Sequence, residues 1–159
     1  MKTLVLLSVY MVLFASQDVK PSQDLAYINQ KNQLKLFSVD DKCGEFGGVE
    51  QTIIIYREGF EGILCADFEE KTTNCDRPID GTKLTANIKK VKLSNADVRL
   101  VIASINELAA NKLNRSSLII SHSGLFHQAK LDDASLTIED FPAKEWKNFK
   151  ALVLVLKKK

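Results

Sequence analysis

The sequence predicts an α+β domain: an antiparallel sheet of about six to eight strands, one long helix packed on one face, and a short helical stretch near the end. Three observations carry that expectation. Short β-branched and aromatic runs recur between turn residues, as in Thr52 to Arg57 (TIIIYR), which reads as hairpin-connected strands. One segment, about 95–113, instead repeats its apolar residues at helical spacing. An amphipathic helix must bury its stripe, which favours a sheet with a covered face over a β-sandwich.

Composition agrees with a globular chain. Of 159 residues 45% are hydrophobic and 26% charged, with 22 Lys+Arg against 20 Asp+Glu. These values exclude a disordered or collagen-like chain and favour one self-sufficient domain. A net charge of +2 gives no bulk attraction to nucleic acid or to an acidic membrane.

The start of the chain reads as a signal peptide over 1–16. Lys2 supplies the positive charge, Leu4 to Ala15 is apolar apart from Ser8, and Ala15-Ser16 supplies small residues at the exit. Crossing a bilayer takes about 20 apolar residues, more than this run holds, and no cysteine stands at its exit to take a lipid. The expected location is therefore secreted or periplasmic, with no membrane anchor after cleavage. Residues 17–33 are polar and Gln/Asn-rich, a lead-in segment to a single globular domain at 34–159.

Strands are expected at Leu34 to Val39, Thr52 to Arg57, Ile63 to Glu69 and Leu84 to Leu93. The second and third join through Glu58-Gly59-Phe60-Glu61-Gly62 as a hairpin, and Pro78 with Asp80-Gly81 marks the turn before the fourth. In the fourth, Leu84, Ala86 and Ile88 alternate with Lys83, Thr85 and Lys89. The helix opens at Ser94, whose hydroxyl can cap the free amides while Asp97 suits the positive end of the helix dipole. Val98, Val101, Ile102, Ile105, Leu108, Ala109 and Leu113 form its aliphatic stripe, which is core and carries no chemistry. Further strands are expected at Ser117 to His122, Leu125 to Leu131 and Ser135 to Glu139. A short helix near 143–150 places Trp146 and Phe149 inward, and the Val–Leu alternation of Ala151 to Leu156 predicts a closing strand.

Three cysteines allow one bridge, and disulfides suit an exported chain. If 52–57 and 63–69 form a hairpin, the loops holding Cys43 and Cys75 share one end of the sheet. Cys43–Cys75 is therefore favoured over Cys65–Cys75. Cys65, within Ile63-Leu64-Cys65-Ala66, reads as a small buried hydrophobe rather than a nucleophile.

Candidate chemistry is sparse. His122 and His127 would lie on one face of a hairpin turning at Ser123-Gly124, close enough to share a metal if an acid such as Glu45 or Asp132 approached. Against the metal-assisted hydrolase this suggests stands the reading of the two as rim histidines of the core. Asp67, Glu69 and Glu70 could pair as catalytic acids but suit a solvated strand edge. Lys83, Lys89, Lys90, Lys92 and Lys157 to Lys159 likewise suit soluble edges. The Gly44 to Gly48 run lacks the Lys-Ser/Thr of a phosphate loop, and the serines at 116, 117, 121 and 123 lack a nucleophile-elbow context. What remains is the loop pair at the Cys43/Cys75 end, with Phe46, Arg77 and Ile79 as candidate contact residues. The expectation is a non-catalytic exported module, without a cofactor, that binds another extracytoplasmic protein as inhibitor or accessory. The alternatives are the hydrolase and a carrier of a small apolar ligand between helix and sheet.

Overall fold

The computed structural model describes residues 25–59, 62–78, 81–115 and 121–159. The expected signal peptide, the 17–24 part of the lead-in and Ile79 lie outside these residues, as does most of the strand expected at 117–122. The architecture is α+β. The six strands are β1 (Leu34–Val39), β2 (Val49–Arg57), β3 (Leu64–Thr73), β4 (Thr82–Lys92), β5 (Leu125–Leu131) and β6 (Thr137–Ala143). The helices are α1 (Asn95–Leu113) and α2 (Lys147–Leu156). The sheet runs in the order β4-β3-β2-β1-β5-β6, with every neighbouring pair antiparallel.

β1 is the hinge of this order. A meander, β1 to β4, grows from one edge of it, and the β5–β6 hairpin attaches to the other after α1 has crossed over. Because side chains alternate along a strand, the register stacks rows on one face. Leu131, Leu34, Ile55, Ala66 and Val91 form the first row. Ile138, Ala129, Leu36, Ile53, Phe68 and Ile88 form the second. Both rows belong to the hydrophobic core, where Leu36, Ile53, Ile55, Phe68 and Ala129 are wholly buried. On the opposite face Lys35, Phe37, Val39, Thr52, Ile54, Tyr56, Phe126 and Gln128 keep part of their surface in contact with solvent.

The helix begins as its sequence dictates. The Ser94 hydroxyl accepts from the Asp97 amide, and the Asp97 carboxylate accepts from the Ser94 amide at 2.7 Å, a reciprocal capping box. Val98, Val101 and Leu108 face the core, but Leu113 is exposed, so the apolar stripe ends a turn earlier than expected. α1 packs on α2, β6 and β5. Trp146, just ahead of α2, stacks on Phe149 with ring centroids 4.6 Å apart and donates its indole N–H to the Ser104 carbonyl at 2.7 Å. That bond satisfies the one polar atom of a side chain otherwise buried in the core.

Two expectations are corrected. Ala151 to Leu156 continues α2 and is not a strand: Phe149, Leu152, Val153 and Leu156 are buried, at helical spacing, while Leu154 is 60% exposed. The β propensity of Val and Leu gave way to tertiary burial. The expected hairpin of 118–122 with β5 falls largely outside the described residues; β5 itself pairs with β1 on one edge and with β6 on the other. The alternation of β4 is broken twice by register shifts against β3, and Lys90 takes a left-handed φ of 58°. The extra residue passes the inward role from Ile88 to Val91, and Leu84 is left exposed.

Candidate functional site

The Cys43–Cys75 bridge is present, spanning 32 residues with Cα atoms 4.9 Å apart. It ties the loop between β1 and β2 to the turn that follows β3, as the hairpin topology requires. The first loop is organised mainly by Asp40, whose Oδ1 accepts from the Lys42 amide at 3.1 Å and the Val49 amide at 2.9 Å. Gly48 must be glycine here, because a Cβ would stand 1.8 Å from that carboxylate oxygen. The Thr73 amide donates to the Gly48 carbonyl at 2.9 Å, joining the loop to the end of β3. Between these anchors a single 3₁₀ turn, Gly44–Phe46, lifts Phe46 into solvent with 59% of its surface exposed.

Beside this turn lies an open cleft of about 260 Å³, lined by Val39, Phe126, Phe141, His122, Glu45 and Gly124 among others. Val39 and Phe126 are cross-strand neighbours on the uncovered sheet face. Phe126 meets Phe37 edge-on, with centroids 6.0 Å apart, and Phe141 on β6 is 42% exposed. Gly124 allows the 121–124 segment to close the cleft. A Cβ there would stand 2.6 Å from that of Pro142. The result is an apolar floor beside Phe46, with Glu45 and His122 on its wall. The covalent pin thus holds the exposed Phe46 beside this floor. Arg77 is exposed in the turn after Cys75, its amide bonded to the Asn74 carbonyl, and it is not among the residues lining the cleft. The aromatic floor went unforeseen, although the placement of Phe126 on a strand beside Phe37's strand would have revealed it had the β1–β5 pairing been known.

The two histidines are in different environments. His122 is exposed at the cleft. His127 is 3% exposed, and both ring nitrogens are engaged: Nδ1 lies 3.0 Å from Ser38 Oγ and Nε2 3.0 Å from the Lys144 carbonyl. A carbonyl only accepts, so Nε2 carries the proton and Nδ1 accepts from the Ser38 hydroxyl. The ring packs against Trp146 at 5.2 Å. Burial, opposed by the Lys144 and Phe126 backbone and the Asp140 carboxylate, holds the imidazole below its ordinary pKa. Of the acids considered as third ligands, Glu45 stands on the cleft wall and Asp132 accepts from the Gln33 amide at 3.0 Å. Among the described residues no group of three or more His, Cys, Asp or Glu side chains could hold a metal ion.

His127 belongs to a polar third row on the covered face, running Asp140, His127, Ser38, Gln51 and Glu70. Its members are bonded internally. Asp140 pairs with Arg115, which also donates to the Phe141 carbonyl at 2.6 Å. Glu70 accepts from Gln51 and from Lys157, each at 2.7 Å. Burial pushes the Glu70 carboxyl up, and Lys157 and Gln51 more than offset it, so the group lies below the usual carboxylate range. Satisfied in this way, the row seals one end of the core. The remaining acids are likewise engaged: Asp67 accepts from the Tyr56 hydroxyl at 3.1 Å and Glu69 meets Lys71 at 2.8 Å. Burial, with Asp67 next, pushes the Tyr56 phenol up to about 12. Cys65 is free and buried, and that burial pushes its thiol up, away from the reactive thiolate.

The chain matches no protein-family model, no curated protein and no solved structure.

Proposed function

We propose that the protein is a non-catalytic, extracytoplasmic binding module that holds another protein, as inhibitor or accessory, through Phe46 and the adjoining cleft. The observation that carries this reading is the exposure of Phe46 on a loop fixed by a disulfide and by Asp40, next to the aromatic floor of Phe126 and Phe141. A large aromatic held rigidly in solvent loses little conformational entropy on binding, and buried aromatics dominate the energetics of protein interfaces. Apolar surface gathered beside polar rim residues marks contact sites more than scattered exposure does. The bridge suits an oxidising compartment, and none of the described helices is long and apolar enough to cross a membrane. Arg77 and Ile79 extend the same loop pair and complete the proposed contact set.

Neither alternative gains a supporting observation. The nitrogens that a metal would need from His127 are bonded to Ser38 and Lys144. The interlayer where a carrier would hold its ligand is filled by Trp146, Phe149, Phe68 and Leu152.

The test is site-specific photocrosslinking in the native medium or envelope, with benzoylphenylalanine in place of Phe46, and in place of Leu154 as an exposed apolar control. The expected result is a discrete adduct from position 46 that Phe141→Ala diminishes. An absence of adducts at position 46, or the same adduct from position 154, would count against the reading.

A further inference from the structure

His127 sits behind the aromatic cleft. Phe126, the residue before it, lies on the cleft floor, and Phe141, also on the floor, follows its cross-strand partner Asp140. Directly opposed residues of an antiparallel pair share a face with Cβ atoms about 4.5–5.5 Å apart, so the Asp140 carboxylate stands beside the imidazole. That carboxylate is 1% exposed and pairs with Arg115. Through its other terminal nitrogen Arg115 donates to the Phe141 carbonyl at 2.6 Å. One guanidinium therefore joins the buried acid next to His127 to the backbone of a cleft residue.

A proton on Nδ1 alters this arrangement in two ways. It turns an acceptor into a donor, so the Ser38 hydroxyl can no longer donate to the ring. It also places a positive charge on a side chain only 3% exposed, and a buried charge requires a counter-charge. The charged groups around the ring leave one choice. Asp140 on β6 favours the proton, while Lys150 on α2 opposes it and is itself paired with Glu145 at 2.8 Å. On α1, Glu107 is committed to the Lys147 and Asn148 amides at 2.9 and 2.7 Å. β1 contributes the neutral Ser38, and Lys144 presents its carbonyl to Nε2. Two cations, His127 and Arg115, then compete for the Asp140 carboxylate. His127 has no route to water, whereas the Arg115 side chain is 20% exposed and can be rehydrated. Arg115 is the one displaced.

We propose that His127, Asp140 and Arg115 form an acid-sensitive latch on the aromatic cleft. At neutral pH Arg115 is fastened to Asp140 and to the Phe141 carbonyl, and the cleft floor is fixed. On acidification His127 takes the Asp140 carboxylate, Arg115 returns to solvent and Phe141 is released. A weaker hold on a bound protein in acid would follow, and that consequence rests on the binding role proposed above; the latch itself does not.

The test is an NMR titration of the isotopically labelled chain, without a partner, from about pH 7.5 to about pH 5. It follows the ring signals of both histidines and the carbonyl ¹³C signal of Phe141, read through its own Cα. The Phe141 signal should move in a single step whose midpoint coincides with that of His127. His127→Gln should abolish the step, and His122→Gln should leave it in place. Arg115→Gln should hold Phe141 in its acid position at neutral pH with no step. It should also shift the His127 midpoint to higher pH, because coupling between two sites is reciprocal. If His127→Gln does not fold, the coincidence of midpoints in the unsubstituted chain and the Arg115→Gln result decide the matter. The proposal is overturned if His127 titrates while Phe141 stays still, if the step follows His122, or if it survives in Arg115→Gln. It is equally overturned if His127 remains neutral throughout the range or if the whole fold is lost within it. Since every readout comes from the free chain, failure here leaves the crosslinking test at neutral pH unaffected, and the converse also holds.

Discussion

Removing the disulfide as Cys43→Ser/Cys75→Ser separates two things the bridge can do: restrain the unfolded chain and hold the native loop. The separation of 32 residues gives a loop-closure entropy of about 12 cal/mol/K, or about 3.7 kcal/mol at 25 °C. For a chain of this size that corresponds to a fall in Tm of roughly 7–15 °C. The native loop has other ties, namely the two amide bonds to Asp40 and the Thr73 to Gly48 bond. Nearly all of the loss should therefore come from the unfolded ensemble. The assay is urea unfolding followed by the fluorescence of Trp146, the only tryptophan, with hydrogen exchange of the Thr73 amide measured without denaturant. The expected result is a loss of about 3–4 kcal/mol while Thr73 stays protected. A loss below about 1 kcal/mol, together with free exchange at Thr73, would place the bridge's effect in the native loop and refute the reasoning.

Three further outcomes are expected. Leu156→Ala should cost about 2–5 kcal/mol in urea unfolding, whereas Leu154→Ala should stay within about 0.5 kcal/mol. Since positions 154 and 156 would share a face on a strand, equal losses would contradict the helix. Burial depresses the His127 pKa below 6.5, so the unfolded state binds its proton more readily and the contribution to stability is complete only above that value. Stability should decline as pH falls from about 6.5 towards the folded pKa, by at most about 1.4 kcal/mol per pH unit, and urea midpoints of His127→Gln should be flat there. The lowered carboxyls of Asp97, Glu70 and Asp133 act in a more acidic range and should leave that window unaffected. Gly124→Ala, forced against Pro142, should cost about 1–3 kcal/mol by thermal melting and should reduce the crosslink from position 46.

Local signals in the sequence were accurate guides, and non-local ones were not. Ser94 and Asp97 announce the start of α1 because a capping box is built within four residues. The Cys43–Cys75 pairing followed from one hairpin, itself a local unit. The pairing of β1 with β5, about ninety residues away, leaves no trace in either strand, and so the position of His127 opposite Ser38 is not legible in the sequence. The end of α2 was misread because six residues of Val and Leu satisfy both periods, and only the position of Phe149 relative to Leu152, Val153 and Leu156 decides between them. The candidate site divides along the same line. Phe46 among glycines was legible as an exposed aromatic, but the floor of Val39, Phe126 and Phe141 depends on strands brought together across the sheet.

That single long-range pairing also orders the assembly of the molecule. The β1–β4 meander and the β5–β6 hairpin each close through short connections, whereas uniting them requires ends separated by most of the chain to meet, at a far larger entropic cost. Until they do, β1 presents an unguarded hydrogen-bonding margin flanked by Leu34 and Leu36, open to adhesion by any extended segment nearby. The nascent polypeptide is therefore most vulnerable to clumping in the interval before its two parts join.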